Sequence, residues 1–178
     1  MLCFDHSHIM SISNKKTSSR MYILVEITTQ SLGKELHAHF YNSLSVTKWV
    51  HLNWGDDGLI YLLLKCYSLL KKFGMLILEY QCFPSYHKKC NYSERIKKNY
   101  DTIQIKPEQI PAILQKVGMQ LISSKRPNAV STLPRAVTKG FNRPIVVMKK
   151  VGDELDIDFS KVKVKDIRTV IDVNTLIE

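Results

Sequence analysis

Glycine is scarce in this sequence and never forms the G-x-G pattern that opens a glycine-rich dinucleotide site. The four cysteines form no C-x-x-C pair, which argues against a disulfide framework and predicts reduced thiols in an intracellular protein. No apolar run approaches the roughly 20 residues needed to cross a bilayer. The N-terminus carries an early acid and two histidines, which suits no signal peptide. We therefore expect a nuclear or cytoplasmic protein that uses no membrane.

Acidic residues are also few, because 26 Lys and Arg face 16 Asp and Glu and leave a formal net charge of +10. An excess of this size favours a polyanionic partner, most often nucleic acid or an anionic membrane. From charge alone, a basic soluble protein without such a partner is an equally good interpretation. The 178 residues, 44% of them hydrophobic, suffice for one domain with a real core.

Hydrophobic periodicity predicts a helix followed by a strand in the middle of the chain. Apolar residues recur at helical spacing over 59–70, and the run MLILEY over 75–80 is typical of a buried strand. The predicted boundary residues of the helix are the N-cap Asp56 or Asp57, the basic pair Lys71 and Lys72, and a closing left-handed Gly74. This helix–glycine–strand unit is the repeating element of a parallel α/β sheet.

Weaker signals surround this unit. Residues 1–20 are polar and predict a poorly anchored segment, while RMYILVEI over 20–27 predicts a strand. The other predicted elements are a helix ERIKKNY capped by Ser93, a helix between Pro107 and Gly118 whose start is delayed by Pro111, and strands at MQLIS and RPIVVMKK. Together these elements predict half of a doubly wound sheet. Its open strand edges and uncovered helix face predict self-association of the chain.

The stretch TKWVHLNWGDDG over 47–58 gathers both tryptophans with a lysine, a histidine and an asparagine. In chain order it is followed by LLKKFGMLILEYQ, KNYDTIQIKPEQI and KGFNRPI. These four blocks resemble the bicoid-interacting-protein-three family of RNA methyltransferases, whose best-known type is the methylphosphate capping enzyme of small nuclear RNA. The resemblance covers residues 44–150. It leaves a divergent or poorly ordered segment over 1–43 and a tail of unknown structure over 151–178.

The resemblance implies an α/β fold, namely a partial Rossmann-like class I S-adenosylmethionine methyltransferase fold that comprises the C-terminal half of the sheet. It implies methyl transfer from S-adenosyl-L-methionine to the 5′-terminal phosphate of a small non-coding RNA. It places Leu44 and Ser45 beside the cofactor, after a strand, and the stretch after them in a loop beside the substrate.

The residue types of that loop suit a phosphate substrate. A phosphate oxygen is already anionic, so it needs positioning more than a strong base. We expect Lys48 to hold the phosphate, and Asn53 and His51 to donate to it or to the ribose, with a weak acid–base relay as a further role for His51. The residues expected to bind RNA are Trp49 and Trp54 by stacking, and Lys106 and Arg143 by charge.

Simpler interpretations stand beside these. One of the two tryptophans is expected in the core, His51 can bond a backbone carbonyl, and Lys106 can be a solvated loop charge. The pattern H-x-H over 37–39, with His6 and His8, suggests zinc, but no cysteine pair or carboxylate spacing accompanies it, and we predict no metal.

The first half of a methyltransferase sheet is not evident. Only 46 residues precede Thr47, and the family's Pro-Gly-Gly and Pro-Gln-Pro-Trp motifs are replaced by Lys72-Phe73-Gly74 and by residues 80–83. We expect either a fragment of an enzyme, a shortened relative that binds RNA without catalysis, or a chain completed by a second one. The leading expectation is a truncated RNA methyltransferase, and the alternative is a non-catalytic RNA-binding or scaffolding module.

Overall fold

A computed structural model describes residues 7–13, 20–28, 38–43, 46–126 and 143–177, the first three ranges through their backbone. The strands are β1 (Ser7–Ser13), β2 (Arg20–Thr28), β3 (Ala38–Ser43), β4 (Leu70–Glu79), β5 (Met119–Lys125) and β6 (Ile145–Lys150). The helices are α1 (Thr47–Leu69), α2 (Glu94–Thr102), α3 (Ile110–Val117), α4 (Ile167–Val170) and α5 (Val173–Ile177). Short 3-10 turns span Phe83–Ser85, His87–Tyr92, Pro107–Gln109 and Val164–Asp166.

The described strands form one mixed sheet in the order β1-β2-β3-β4-β6-β5. β3 and β4 pair in parallel, and the long helix α1 makes the crossover that parallel neighbours require. β6 runs antiparallel to both β4 and β5, so β5 points in the same direction as β4. The predicted α/β class is confirmed, but among the described strands the parallel order holds for one neighbouring pair, since β6 is inserted in the opposite sense.

The N-terminal strands differ from the sequence-based expectation. β1 and β2 pair antiparallel, with Ser7 opposite Glu26, and β2 continues onto β3. The strand predicted over 20–27 is therefore confirmed. Within the segment predicted to be poorly anchored, Ser7–Ser13 forms a strand whose backbone pairs with β2, although its polar sequence has little strand signal of its own.

Helix α1 begins nine residues before the predicted start. Thr47 already lies in the helix, and the expected substrate loop is its first part. Gly55 breaks the helix, with φ 66° and ψ −163°, a combination essentially restricted to glycine. Asp56 therefore follows an internal break and does not cap a free helix start, which corrects the predicted N-cap.

The end of α1 also differs from the prediction. The chain passes directly from Leu69 into β4, and the residue with positive φ is Phe73, at 66°, instead of Gly74. The expected cations Lys71 and Lys72 already lie in the strand. The buried Lys150 replaces them, because its Nζ donates to Leu70 O at 2.7 Å and to Tyr67 O at 3.1 Å. A lysine distant in sequence thus adds a donor at the junction of α1 and β4, where Tyr67 O also accepts from the Leu70 amide.

The elements after β4 follow the sequence signals closely. The Ser93 side chain accepts from the Ile96 amide and caps α2, as predicted. α3 starts only at Ile110, after a 3-10 turn that opens with Pro107, which confirms the delayed start. It ends at Gly118, whose φ of 113° is the expected left-handed closure.

The tail covers the outer side of α1. Its apolar residues Phe159, Ile167, Val173 and Leu176 belong to the same buried cluster as α1, β4, α3 and β6. Phe159 meets the Tyr61 ring edge-on, with centroids 5.5 Å apart. The uncovered helix face expected from the sequence is therefore corrected, because residues after Lys150 bury it. Self-association of the chain stays a prediction.

Candidate nucleic-acid interface

The candidate site lies where the parallel strands end. β3 and β4 run side by side, so their carboxyl ends reach the same edge of the sheet, the edge at which α/β proteins commonly bind ligands. The first residues of α1 lie just beyond β3, and the loop from Tyr80 to Tyr86 follows β4. Residues far apart in sequence therefore come together at this edge.

Lys48 lies in the first turn of α1 and reaches into the loop after β4. Only 6% of the residue is exposed. Its Nζ donates to Ser85 O at 2.7 Å and to Gln81 Oε1 at 3.4 Å, and lies 5.5 Å from the centroid of the Tyr86 ring. Each of these partners is neutral, so none of them compensates the charge of the ammonium group.

The electrostatics of this edge are strongly positive. Burial lowers the pKa of Lys48, and the nearby charges of Lys89, Arg143 and Lys88 lower it further. Glu79, at the end of β4, pairs with Arg143 at 2.7 Å. A buried cation with neutral acceptors and three cationic neighbours is a site to which an anion is attracted.

Lys106 lies farther along the same loop region. Its Nζ is 3.7 Å from the centroid of the Phe83 ring and 3.4 Å from Ile103 O. Phe83 in turn stacks on Tyr100, with the rings 5.4 Å apart and 7° from parallel. A cation–π contact of this kind holds the amine at the surface of an aromatic pair. Lys106 is therefore positioned by the fold, whereas the simpler interpretation made it a solvated charge.

Asn53 and Trp49 occupy the outer side of the first part of α1. Asn53 Nδ2 donates to Trp49 O at 2.8 Å, and its Oδ1 accepts from Arg95 Nη2 at 2.6 Å. Trp49 is half-buried and meets the Tyr92 ring edge-on, with centroids 6.1 Å apart. Both functional groups of the Asn53 amide thus have protein partners, which suits a residue that joins α1 to α2.

His51 lies underneath this surface and is fully buried. Its Nε2 lies 2.8 Å from Asp56 Oδ1, and its Nδ1 lies 3.4 Å from the Tyr86 hydroxyl. Since both ring nitrogens have protein partners, contact with a substrate is not available to this side chain as placed. His51 therefore holds the Tyr86 ring in place, and the Lys48 amine lies over that ring.

Trp54 points the other way. It packs against the main core, and its Nε1 is buried without a hydrogen-bond partner among the described residues. The expectation that one tryptophan is a core residue fits Trp54, and its placement argues against the RNA contact predicted for it. The predicted cofactor residues Leu44 and Ser45 lie outside the described residues.

A family model described as Bicoid-interacting protein 3 matches residues 39–150. The chain belongs to this family. The match begins in β3 and ends on the last residue of β6, so it contains the parallel pair, α1 and every residue of the cationic edge. The resemblance found in the sequence is confirmed.

Relatives in the bicoid-interacting protein 3 family carry informative names. The human 7SK snRNA methylphosphate capping enzyme is 43% identical over 107 residues, which is 60% of this chain and 15% of that protein. A probable RNA methyltransferase of Arabidopsis thaliana is 43% identical over 108 residues, or 60% and 32%. The U6 snRNA methylphosphate capping enzyme of Drosophila melanogaster is 36% identical over 107 residues, or 60% and 34%. The matched part of this chain thus spans about a third or less of each relative.

Sequence reasoning missed two residues of the candidate site. Asp56 was assigned to a helix cap, but its carboxylate accepts from the Gln104 and Ile105 amides as well as from His51. Tyr86 was passed over, although it is fully buried between His51 and Lys48. A usable signal was the acid placed directly after Gly55, because a glycine break lets the next side chain turn inward.

The described residues contain neither a metal-binding cluster nor a membrane-spanning helix. In residues 46–126 and 143–177, no three His, Cys, Asp or Glu side chains are grouped so as to hold a metal ion. The side chains of the suspected zinc histidines lie outside those ranges. Within the described chain, helices long and apolar enough to cross a bilayer are absent. The described cysteines Cys66, Cys82 and Cys90 form no disulfide with one another.

Proposed function

We propose that this chain is the RNA-side part of an S-adenosylmethionine-dependent methyltransferase that acts on the 5′-terminal phosphate of a small non-coding RNA. The observation that carries the proposal is the position of Lys48, a buried cation with neutral partners and cationic neighbours at the end of the parallel strands. The names of the human and fruit-fly relatives, which specify snRNA methylphosphate capping, support the same substrate and a nuclear location.

The topology supports a class I methyltransferase fold at this sheet. A parallel pair joined by a crossover helix, with ligand groups at the carboxyl ends of the strands, is the arrangement of doubly wound α/β folds. We infer that β3, β4, β6 and β5 are the C-terminal half of such a sheet. β6 lies between β4 and β5, and β5 forms the edge of the sheet on that side.

The residues divide into those that hold the RNA and those that hold the site in shape. Lys48 donates to the terminal phosphate by charge-assisted hydrogen bonds, and Arg143 and Lys106 bind neighbouring phosphates. Trp49 offers an aromatic edge to the first nucleotide. His51 and Asn53 act through their protein contacts and keep Tyr86 and α2 in place. The phosphate oxygen is anionic, so in-line positioning accounts for most of what the protein contributes.

The polar groups near the end of β3 fit a cofactor with hydroxyl and amino groups. Thr47 Oγ1 is buried and has no hydrogen-bond partner among the described residues. It lies two residues after Ser45, so Leu44, Ser45 and Thr47 are the residues that we expect to border the ligand. When bound, S-adenosyl-L-methionine supplies a methyl group on a sulfonium.

Calorimetric titration of the full chain tests this proposal. Micromolar binding of S-adenosyl-L-methionine, together with tighter binding of 5′-phosphorylated RNA than of 5′-hydroxyl RNA, is the expected result. Lys48→Gln should remove the preference for the 5′-phosphate and leave cofactor binding unchanged. An RNA affinity that is indifferent to the 5′ end would refute the proposal.

A second function, a non-catalytic RNA-binding or scaffolding module of the same descent, is favoured by one observation. The sequence has no G-x-G, the turn that lets a backbone approach such a cofactor closely. This function predicts intact RNA affinity and no heat from S-adenosyl-L-methionine even at millimolar concentration. The same titration therefore separates the two.

A further inference from the structure

Tyr92 is a large aromatic residue on the open side of the candidate site. The residue is 69% exposed and ends the 3-10 turn His87–Tyr92. The Lys89 amine lies over its ring, 5.0 Å from the centroid, and the Trp49 ring is nearly perpendicular to it, at 81° with centroids 6.1 Å apart. An exposed ring with a fixed orientation and a cation beside it has the features of a base-stacking platform.

The platform is continuous with the Lys48 site. Lys89 is close enough to Lys48 to lower its pKa, and the same Lys89 lies over the Tyr92 ring. Trp49 follows Lys48 in α1 and contacts the Tyr92 ring. Lys89 and Trp49 therefore link the buried amine to the exposed ring. A strand whose terminal phosphate is held at Lys48 has its next phosphates and bases above this turn.

We propose that Tyr92 stacks with a base beyond the first nucleotide of the RNA, while Lys89 and Lys88 bind the phosphates that flank it. The proposal rests on the proposed function and adds to it a contact that does not depend on the 5′ end. It makes the affinity for RNA depend on strand length, since a single nucleotide reaches Lys48 without reaching Tyr92.

Phe73 provides a matched control on the same sheet. It is 60% exposed, and the Lys149 amine lies 5.2 Å from its ring centroid, so its chemistry resembles that of Tyr92. It lies near the start of β4, whereas the Lys48 site lies past the end of that strand. If any exposed ring with a lysine binds RNA, Phe73 will matter as much as Tyr92.

The experiment measures fluorescence anisotropy of the full chain with a short labelled RNA that carries either a 5′-phosphate or a 5′-hydroxyl. The proteins compared are the wild type, Tyr92→Ala, Tyr92→Phe and Phe73→Ala, each checked by thermal melting. Tyr92→Ala should lower the affinity for both RNAs by about five- to 140-fold, which corresponds to the loss of one stacked base. Tyr92→Phe and Phe73→Ala should bind like the wild type, and Tyr92→Ala should keep the wild-type ratio between the two RNAs.

The two proposals fail in different ways. Equal binding of both RNAs by the wild type would refute the 5′-phosphate site, whatever Tyr92→Ala does. Wild-type affinity in a folded Tyr92→Ala protein, or an equal loss in Phe73→Ala, would refute the platform and leave the phosphate site intact. A 2-aminopurine base placed beyond the first nucleotide should be quenched by the wild type and by Tyr92→Phe, and persistent fluorescence with both would also refute stacking.

Discussion

Replacement of Lys48 gives the most direct test of the charge at this site. Lys48→Gln keeps a hydrogen-bond donor but removes the positive charge from a position whose present acceptors, Ser85 O and the Gln81 amide, are neutral. A net contribution of about 1.5–3 kcal/mol for a hydrogen bond to a charged group corresponds to a loss of about 12- to 140-fold in affinity for 5′-phosphorylated RNA. Binding of 5′-hydroxyl RNA should change far less.

The pH dependence adds a second measurement. Burial and the cations around Lys48 lower its pKa below the ordinary value of 10.5. The charged amine binds phosphate, so this part of the affinity is present below the lowered pKa and is lost as the pH rises through it. Lys48→Arg keeps its charge throughout this range, because guanidinium has a pKa above about 12. The variant should therefore lose the pH-dependent step that the wild type has at this position.

Protein stability provides the control for these binding measurements. A lowered lysine pKa means that folding disfavours the charged amine, so wild-type stability should rise as the pH passes from the folded pKa towards 10.5. Lys48→Gln lacks this titration and should unfold at a urea concentration close to that of the wild type. Anisotropy at fixed ionic strength measures the affinities. Unchanged preference of a folded Lys48→Gln protein for 5′-phosphorylated RNA would refute the reasoning.

Three further predictions concern stability and are read from urea unfolding. Asp56→Ala leaves two loop amides and a histidine without their buried acceptor, so it should lower the free energy of unfolding by about 2–4 kcal/mol. Asp57→Ala breaks an exposed ion pair and should lower it by less than about 1 kcal/mol. Equal losses in the two variants would contradict the buried network. Lys150→Met removes the donor to Tyr67 O and Leu70 O and the ion pair with Glu154, and it should lower the free energy of unfolding by about 1–3 kcal/mol, with Lys149→Met as the milder control. An unchanged stability of Lys150→Met would contradict a stabilising role for this amine. Phe159→Ala should lower the free energy of unfolding by about 3–5 kcal/mol, because it removes a buried ring between the tail and α1. It should also promote self-association, measured by sedimentation, because it exposes the apolar face of α1. A loss below about 1 kcal/mol would show that the tail contributes little to stability.

The sequence predicted the fold best where local signals decide it. Ser93 and Gly118 mark helix ends through their own side-chain or backbone chemistry, and the structure places the start of α2 and the end of α3 at these residues. Pro107 opens the 3-10 turn that leads into α3. The run of apolar residues in β4 likewise predicts a buried strand without reference to distant residues. Such features depend on a few neighbouring residues, so periodicity and capping rules detect them.

The errors arose where distant residues decide the structure. The junction of α1 and β4 involves Lys150, 80 positions from Leu70, and no rule for helix ends refers to such a residue. Asp56 resembles a cap because it precedes an apolar helical run, but its partners come from the loop after α2. The tail has weak periodicity of its own, and its structure depends on packing against α1, so local rules do not predict it.

The candidate site was predicted in part for the same reason. The resemblance singled out the stretch over 47–58, and the structure brings Lys48 of that stretch to the same edge of the sheet as Arg143. That these residues bind RNA stays a prediction. His51 and Trp54 have the right chemistry for RNA, but their side chains face inward, and a one-residue difference in helical phase is enough to turn a side chain from the surface to the core. Roles assigned by residue type alone carry this ambiguity.

The break at Gly55 makes α1 two mechanical units instead of one rod. The unit before it is oriented by the Lys48 bond to Ser85 and by the bond of Asn53 to Arg95, and Val50 and Trp54 anchor it in the same apolar interior that holds the unit after it. Because the backbone conformation of Gly55 is essentially restricted to glycine, another residue at this position would change the angle between the two units. Such a change would move the Lys48 amine relative to the loop after β4.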